Sequence, residues 1–342
     1  MNGSLHVRPS SSTFQLFNNP SSFVEGWYWA IPSHQLKPNH VKPVTMMGRD
    51  LALYRTSEGT AVAMDAYCSH MGAHLAEGNV EGDRLRCFFH NWMFDATGRC
   101  VEAPCLDKPP CVRQRVFPTA EQYGMVWVWT GDRPTHPPPF VPDLDGTECD
   151  VALGSQFEKN CHPNVVMINA IDANHFNTVH NFPAKIEFAV QEFENAITFS
   201  NTTRGGEASR FVRLIRPFYQ NEITYRLCYW YGSTGTVTLG PDGFHFYIMF
   251  ALRMLEGGKT EGQTLLITPN RPGLHGWLVN RAVLWLTKQV GNYFAKGDTR
   301  IFQTIRFSLK TPTKADRSIL QFVEHVEQQP ALRWGTWEKQ GS

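Results

Sequence analysis

Charged side chains are scarce in this sequence: Asp, Glu, Lys and Arg make up 18% of 342 residues, against about 25% in an average soluble chain. The 32 basic and 31 acidic residues nearly cancel. That balance removes any global electrostatic reason for nucleic acid to be the main partner. No apolar run reaches the roughly 18 residues of a membrane-spanning helix. The nearest, Gly276–Val290, is broken by Asn280, Arg281, Thr287 and Lys288. Its pattern suits an amphipathic helix packed on a core or lying on a membrane surface; its few basic residues favour the core, so membrane contact is not expected. Met1–Ser12 lacks the apolar stretch of an export signal. The expectation is a cytoplasmic protein whose eight cysteines are thiols or metal ligands rather than disulfides. No G-x-G-x-x-G segment is present, so a nicotinamide site is not expected. What abounds is apolar: 42% of residues are hydrophobic and 13% aromatic, enough for a sizeable core and too much for disorder.

There is no internal repeat. The Ser/Asn/Pro-rich residues 1–25 are expected to drape over the surface. From Trp27 to Trp129 short β-type runs alternate with turn signals, among them Val44–Met46, Leu51–Tyr54 and Thr60–Met64, with a hairpin turn at Ser57-Glu58-Gly59. Gly131–Gly146 carries Pro134, Pro137, Pro138, Pro139 and Pro142, which forbids regular helix and reads as an extended linker. Beyond it, Val165–His180 can be helical. Strand-like runs follow at Ile223–Tyr231, Thr236–Leu239 and Phe244–Leu252, then helical text at Trp277–Leu286, Tyr293–Phe307 and Ser318–Glu327. The fold class expected is α+β: an N-terminal all-β domain over 26–131, a linker over 132–146, and an α+β domain with an antiparallel sheet flanked by helices over 147–342.

Two motifs carry chemistry. Cys68-Ser69-His70 is followed, after sixteen residues, by Cys87-Phe88-Phe89-His90. Two thiolates and two imidazoles in two short loops are what a Rieske [2Fe–2S] centre needs, one iron taking both cysteines and the other both histidines. Four such ligands also suit zinc, although zinc sites more often pair cysteine with cysteine and histidine with histidine. Neither ligand loop holds a further cysteine. Cys100, Cys105 and Cys111 read as ordinary thiols.

The second motif is Asn169-x2-Asp172-x2-His175-x4-His180. On a helix Asp172 and His175 share a face. His180 lies about 140° further round from His175, so the helix must bend, loosen or end for both to reach one metal. With a carboxylate from elsewhere they would form the 2-His-1-carboxylate triad of a non-haem iron oxygenase. An apolar pocket is expected beside them, with Phe176, Phe182, Ile186, Phe188, Tyr229, Phe246, Tyr247 and Phe250 as candidate walls.

These motifs in this order resemble the catalytic α subunits of Rieske non-haem iron oxygenases. The likeness runs over Gly26–Glu327 and is sharpest at Cys68–Cys100 and Asn169–His180. Met71 and Asn91 stand where many ring-hydroxylating dioxygenases have arginine and glycine. The text is closer to the α3 monooxygenase branch, which includes 3-ketosteroid 9α-hydroxylase and aminopyrrolnitrin oxygenase. The resemblance implies cluster ligands Cys68, His70, Cys87 and His90, and a mononuclear Fe(II) held by His175, His180 and an aspartate on a C-terminal helix. Asp298 is the matching choice over Asp316 and Asp242. It also implies a homotrimer in which the cluster of one copy serves the iron of the next. Asp172 would bridge them by bonding His90 of the neighbouring copy and His175, with Asn169 near the iron. The activity implied is O2-dependent monooxygenation of a largely hydrophobic ring-containing molecule, with electrons from an external ferredoxin or NAD(P)H reductase. N-oxygenation of an arylamine, oxidative demethylation and desaturation are alternatives on the same metals.

Overall fold

The structure, a computed structural model, describes residues 14–180, 186–203, 223–241 and 244–334. Its N-terminal part is built from three small antiparallel sheets. The first orders Val116–Phe117, Ala61–Asp65, Arg49–Arg55 and Val41–Met46. The second orders Thr119–Gln122, Met125–Trp129 and Trp27–Pro32. The third orders Asn79–Glu81, Arg84–Arg86, Met93–Phe94 and Cys100–Glu102. Most connections are tight turns, and Gly59 supplies the positive φ of 97° in the hairpin that joins Arg49–Arg55 to Ala61–Asp65.

The second part is one seven-stranded antiparallel sheet. Its order is Cys149–Lys159, Lys259–Pro269, Phe246–Leu255, Thr234–Pro241, Ile223–Trp230, Ala196–Thr203 and Ala189–Glu192. Four helices of the described residues accompany it: α1 (Pro163–Ile168), α2 (Ala173–Thr178), α3 (Gly273–Thr304) and α4 (Arg317–Glu327). The strand Phe246–Leu255 is covered on both faces, which explains why 246–252 reads as a continuous apolar run rather than an alternating one. Ile248 and Leu252 share a core with α1, α3 and α4. Tyr247, Met249 and Ala251 point the other way, into Trp27, Trp29, Trp127 and Trp129 of the N-terminal part. Arg253 welds the two parts. Its guanidinium lies 4.1 Å from the Trp29 ring centroid and donates to the carbonyls of Trp29 and Ala30, while Glu261 neutralises it at 2.7 Å.

The structure gives the α+β arrangement expected from the sequence and corrects several details. Of residues 1–25 those from 14 onward are described, and they are core rather than surface drapery. Leu16 and Phe17 are buried among α1 and α4, and Phe17 is 0% exposed. The Glu327 carboxylate accepts the backbone N–H groups of Gln15, Leu16 and Phe17. Phe23–Val24 pairs with Ala331–Leu332, tying the two ends of the described chain together. The helices expected at Trp277–Leu286 and Tyr293–Phe307 are one continuous helix of 32 residues. Gly291, between those two ranges, faces Ile248 on the sheet, so its small size serves packing. The proline-rich segment is not free of the core, because Val141 and Leu144 are buried among the tryptophans.

Phe17→Ala should lower the unfolding free energy by about 3–5 kcal/mol, the usual cost of emptying a core aromatic site. Chemical denaturation followed by circular dichroism reads this directly. A draped segment would lose no more than about 0.5 kcal/mol.

Candidate metal centres

The first centre lies between two loops that share one design. The Cys68 carbonyl accepts the N–H of Gly72, and the Cys68 N–H donates to Ala73. The Cys87 carbonyl likewise accepts the N–H of Asn91, and the Cys87 N–H donates to Trp92. The residue four places after each cysteine is left-handed, Gly72 at φ 76° and Asn91 at φ 56°. Asn91 can replace a glycine because asparagine is among the few residues that tolerate that region. Each loop is pinned from outside. Buried Gln114 accepts the N–H of Ser69 and donates to the carbonyls of Asp65 and Tyr67. Arg86 donates to the Asn91 carbonyl and pairs with Glu81 and Glu102, which raise its pKa.

The residues fit a two-iron cluster. Cys68 and Cys87 are buried free thiols. Burial pushes Cys68 up to about 11, the backbone N–H of His70 opposing it and the Cys87 thiol adding to it. A thiolate there needs a cation. His70 and His90 pack with ring centroids 4.6 Å apart, and the Trp92 ring stacks on His70 at 4.2 Å. The His70 Nδ1 is buried with no hydrogen-bond partner, as expected of a ligand atom. The four do not gather on one point. Among the described residues, His175, His180 and Asp298 are the group whose ligand atoms lie within 4.8 Å of one another. That favours a cluster over a single zinc in the N-terminal loops.

The second centre depends on a broken helix. α1 begins at Pro163, capped by His162, whose Nδ1 accepts the Asn164 N–H. Residues Asn169–Ile171 tighten to a 3₁₀ turn, and the helix ends at Asp172 with ψ 99°. The carbonyls freed by the break are taken up: Met167 accepts from the Tyr229 hydroxyl, Ala170 from the Tyr225 hydroxyl and Ile171 from the Ser318 hydroxyl. The chain then restarts. Asp172 Oδ1 caps α2 by accepting the N–H groups of Asn174 and His175. α2 ends at Thr178, so His180 lies beyond it and turns back. The helix therefore ends between the two histidines, which meets the condition their spacing imposed.

The Nε2 atoms of His175 and His180 lie 2.8 Å apart. The Asp298 Oδ1, from α3, lies 3.0 Å from each. Ligand bonds of about 2.1 Å at right angles would put donors about 3.0 Å apart, so three facial ligands of one metal fit. Asp298 Oδ1 is buried without an aligned hydrogen bond, again as expected of a ligand atom. Burial raises the Asp298 pKa, but the two imidazoles outweigh it and hold the group down at about 2. Asn169 places Nδ2 3.2 Å from the His175 Nε2. Asp316 is excluded as the third ligand because its carboxylate caps a turn at Thr313 on the surface. Asp242 lies outside the described residues.

A cavity of about 1190 Å³ opens beside the triad. Phe176, Ile186, Phe246, Phe250 and Tyr229 line it, as the sequence suggested. Phe182 lies outside the described residues. Phe188 and Tyr247 are corrections. Phe188 packs against Phe199 and Tyr225 beside the wall, and Tyr247 is on the opposite face of the sheet. Phe294, which the sequence did not single out, sets its ring 5.2 Å from His180. Gly297 was also missed. A β-carbon there would lie 2.9 Å from Val179 and 3.3 Å from His180, so glycine lets α3 bring Asp298 against the histidines. Its signal was a glycine inside a helix, a costly placement that calls for a reason.

Gly297→Ala should push His180 away and lower metal retention at the triad at least about tenfold, leaving the visible absorbance of the cluster unchanged. Asn91→Gly should keep that absorbance. Asn91→Val, β-branched and forced to positive φ, should destabilise the cluster loop by about 1–3 kcal/mol and bleach it at lower temperature.

Comparison with known proteins agrees with this geometry. Residues 26–119 match the family model described as the Rieske [2Fe-2S] domain. Aminopyrrolnitrin oxygenase PrnD of Pseudomonas fluorescens is 34% identical over 190 residues, 53% of this chain and 51% of that protein. Cholesterol 7-desaturase nvd of Xenopus laevis is 36% identical over 167 residues, 47% of this chain and 37% of its own length. The oxygenase component of 3-ketosteroid-9-alpha-monooxygenase from Rhodococcus rhodochrous is 30% identical over 204 residues, 57% of this chain and 48% of that protein. The chain thus spans about half or less of these relatives' lengths. Among solved structures, dicamba monooxygenase bound to dicamba superposes with a TM-score of 0.59 at 19% identity, covering 91% of this chain and 98% of that one. NdmB of Pseudomonas putida CBB5 superposes at 0.62 with 17% identity, over 88% and 89% of the two chains. Residues 26–119 thus form a Rieske [2Fe-2S] domain, and the chain as a whole shares the fold of these solved oxygenase structures.

Proposed function

We propose that the protein is the terminal oxygenase of an electron-transfer system and monooxygenates a largely hydrophobic, ring-containing small molecule. The observation that carries this reading is the convergence of His175, His180 and Asp298 on one point at the wall of an apolar cavity, in a chain that also carries a Rieske domain. We assign Cys68, His70, Cys87 and His90 to the cluster, and His175, His180 and Asp298 to a mononuclear iron. The division of labour follows: 26–131 as electron-carrying domain, 132–146 as connection and 147–342 as catalytic domain. When bound, the cluster supplies single electrons and the iron supplies dioxygen activation. The chain's own residues hold the substrate and keep water out. Phe176, Phe246 and Phe250 offer apolar surface, while Asn169 presents an amide to the reacting region. The relatives' names carry aminopyrrolnitrin, cholesterol and 3-ketosteroid, ring-containing molecules that suit such a wall.

Electrons would come from an external ferredoxin or NAD(P)H reductase. The rim of the cluster supports docking of a second macromolecule, since Tyr67, Met71, Phe88 and Phe89 are all more than half exposed around it. We place Asp172 between the cluster of one copy and the iron of the next, in a homotrimer. Its Oδ1 is used as a helix cap, which leaves Oδ2 for that role.

Metal analysis of the purified protein should give about three irons and two sulfides per chain. Asp298→Ala should drop the iron to about two, keep the cluster spectrum and reduce product formation by more than about 100-fold. Loss of the cluster spectrum in wild type, or full turnover in the variant, would refute the assignment. Asp172→Asn separates the two roles of that residue. An amide still caps the helix, so stability and iron content should hold while turnover falls more than about tenfold. Unchanged turnover would reduce Asp172 to a cap.

A further inference from the structure

We propose that the outer face of α3 is a docking surface for an anionic lipid bilayer. Fourteen large hydrophobic side chains are exposed among the described residues, and six of them belong to this one helix. Four form a stripe: Leu274 at 77% exposure, Trp277 at 51%, Leu278 at 55% and Trp285 at 64%. At about 100° per residue these positions fall within roughly 100° of one another around the axis. Trp277 and Trp285 are the exposed tryptophans of the described residues, while Trp27, Trp29, Trp92, Trp127, Trp129, Trp230 and Trp334 are buried. The opposite side of the helix packs on the sheet through Val283, Leu284 and Val290. The apolar stripe is therefore surplus to the core, and burying it in protein is not what holds α3 in place.

The charge on the helix names the occupant. Arg281, Lys288, Lys296 and Arg300 are exposed. The helix has one acid, Asp298, and that is turned inward to the histidines. Arg281 sits over the Trp277 ring at 5.3 Å, within the stripe. Tryptophan prefers the level of lipid headgroups, and long basic side chains reach from an apolar face to phosphate. Pairing this face with α3 of a second copy would bring Arg281 and Lys288 of the two helices together with no outward acid on either to pair them. An anionic bilayer satisfies both the stripe and the cations. The span is interfacial and not transmembrane, since no described helix is long and apolar enough to cross.

The placement has a use. Leu286, Lys288, Val290, Asn292 and Lys296 of the same helix line the cavity. A helix seated in the headgroup region would set that cavity at the bilayer, where an apolar molecule is already dissolved. This consequence rests on the oxygenase reading, but the docking surface does not, because its test reads binding alone.

The test is sedimentation of the full-length protein with vesicles of phosphatidylcholine, with and without about 30% phosphatidylglycerol. Wild type should bind the anionic vesicles at least about tenfold more tightly than the neutral ones and release at high salt. The double variant Trp277→Ser/Trp285→Ser should bind at least about tenfold more weakly, with its cluster absorbance and thermal midpoint unchanged. Arg281→Glu supplies a second variant that weakens binding while leaving the stripe. The proposal is overturned by wild type that stays in the supernatant with anionic vesicles, or by variants that bind as wild type does. It is equally overturned if the double variant loses the oligomeric state of wild type in the absence of lipid, which would make the stripe a contact between copies.

Discussion

Three ligand atoms, from α2, from the turn just beyond it and from α3, must come within about 3 Å of one point, and much of the second half of the chain answers to that constraint. A single unbroken helix cannot present His175 and His180 to one metal, so the helix stops at Asp172 and again after Thr178. The first stop frees backbone carbonyls that burial would make costly. The hydroxyls of Tyr225, Tyr229 and Ser318 take them up. The third ligand arrives from α3, and it arrives close because residue 297 has no side chain. The strand that carries the two tyrosines also lines the cavity. The residues that build the metal site thus belong to the same fabric as those that build the pocket, and neither can be moved alone.

The large sheet separates two interiors that differ in kind. On the side of the N-terminal part the tryptophans interlock and fill the space, with Arg253 stitched between them. On the side of α3 the same strands leave a cavity. Alternation over 246–253 assigns even positions to the cavity side and odd positions to the tryptophan side. One strand therefore carries stability on one face and recognition on the other. A substitution at Met249 acts through packing, whereas one at Phe250 acts first on what the cavity accepts.

Much of this was legible in the residues. The spacing of Cys68, His70, Cys87 and His90 announces the loops because ligand chemistry leaves little freedom in how they are strung together. The five-residue step from His175 to His180 already required a helix end. Asp298 needed the family likeness, since nothing local distinguishes it from Asp316 until the fold shows the latter capping a turn. Gly297 and Gln114 act through contacts made across the fold, and neither stands in a motif. Leu16 and Phe17 were hidden by their Ser/Asn/Pro-rich surroundings, although Glu327, over 300 residues away, supplies the acceptors that bury them. Phe188 and Tyr247 show the limit of aromatic counting, because strand alternation decides which side of a wall a ring occupies and the register is set by the partners.

The two centres sit in opposite environments, and that difference assigns their partners. The cluster loops lie at the surface, with His70 and His90 only half buried and a rim of exposed rings around them. Such a site can be reached by another protein but gives a small apolar molecule little to enter. The triad is the reverse. His175 and His180 are buried, and the open approach to them is a cavity whose walls are mostly carbon. A protein cannot reach it, whereas a small apolar molecule can. On the oxygenase reading proposed above, electrons and substrate therefore come to the chain from different directions. The residue between the two centres along the sequence, Asp172, is one whose carboxylate is half buried and touches the backbone of His175. Its charge therefore lies against the backbone of the buried histidine while staying partly open to solvent, the position that the proposed bridging role requires.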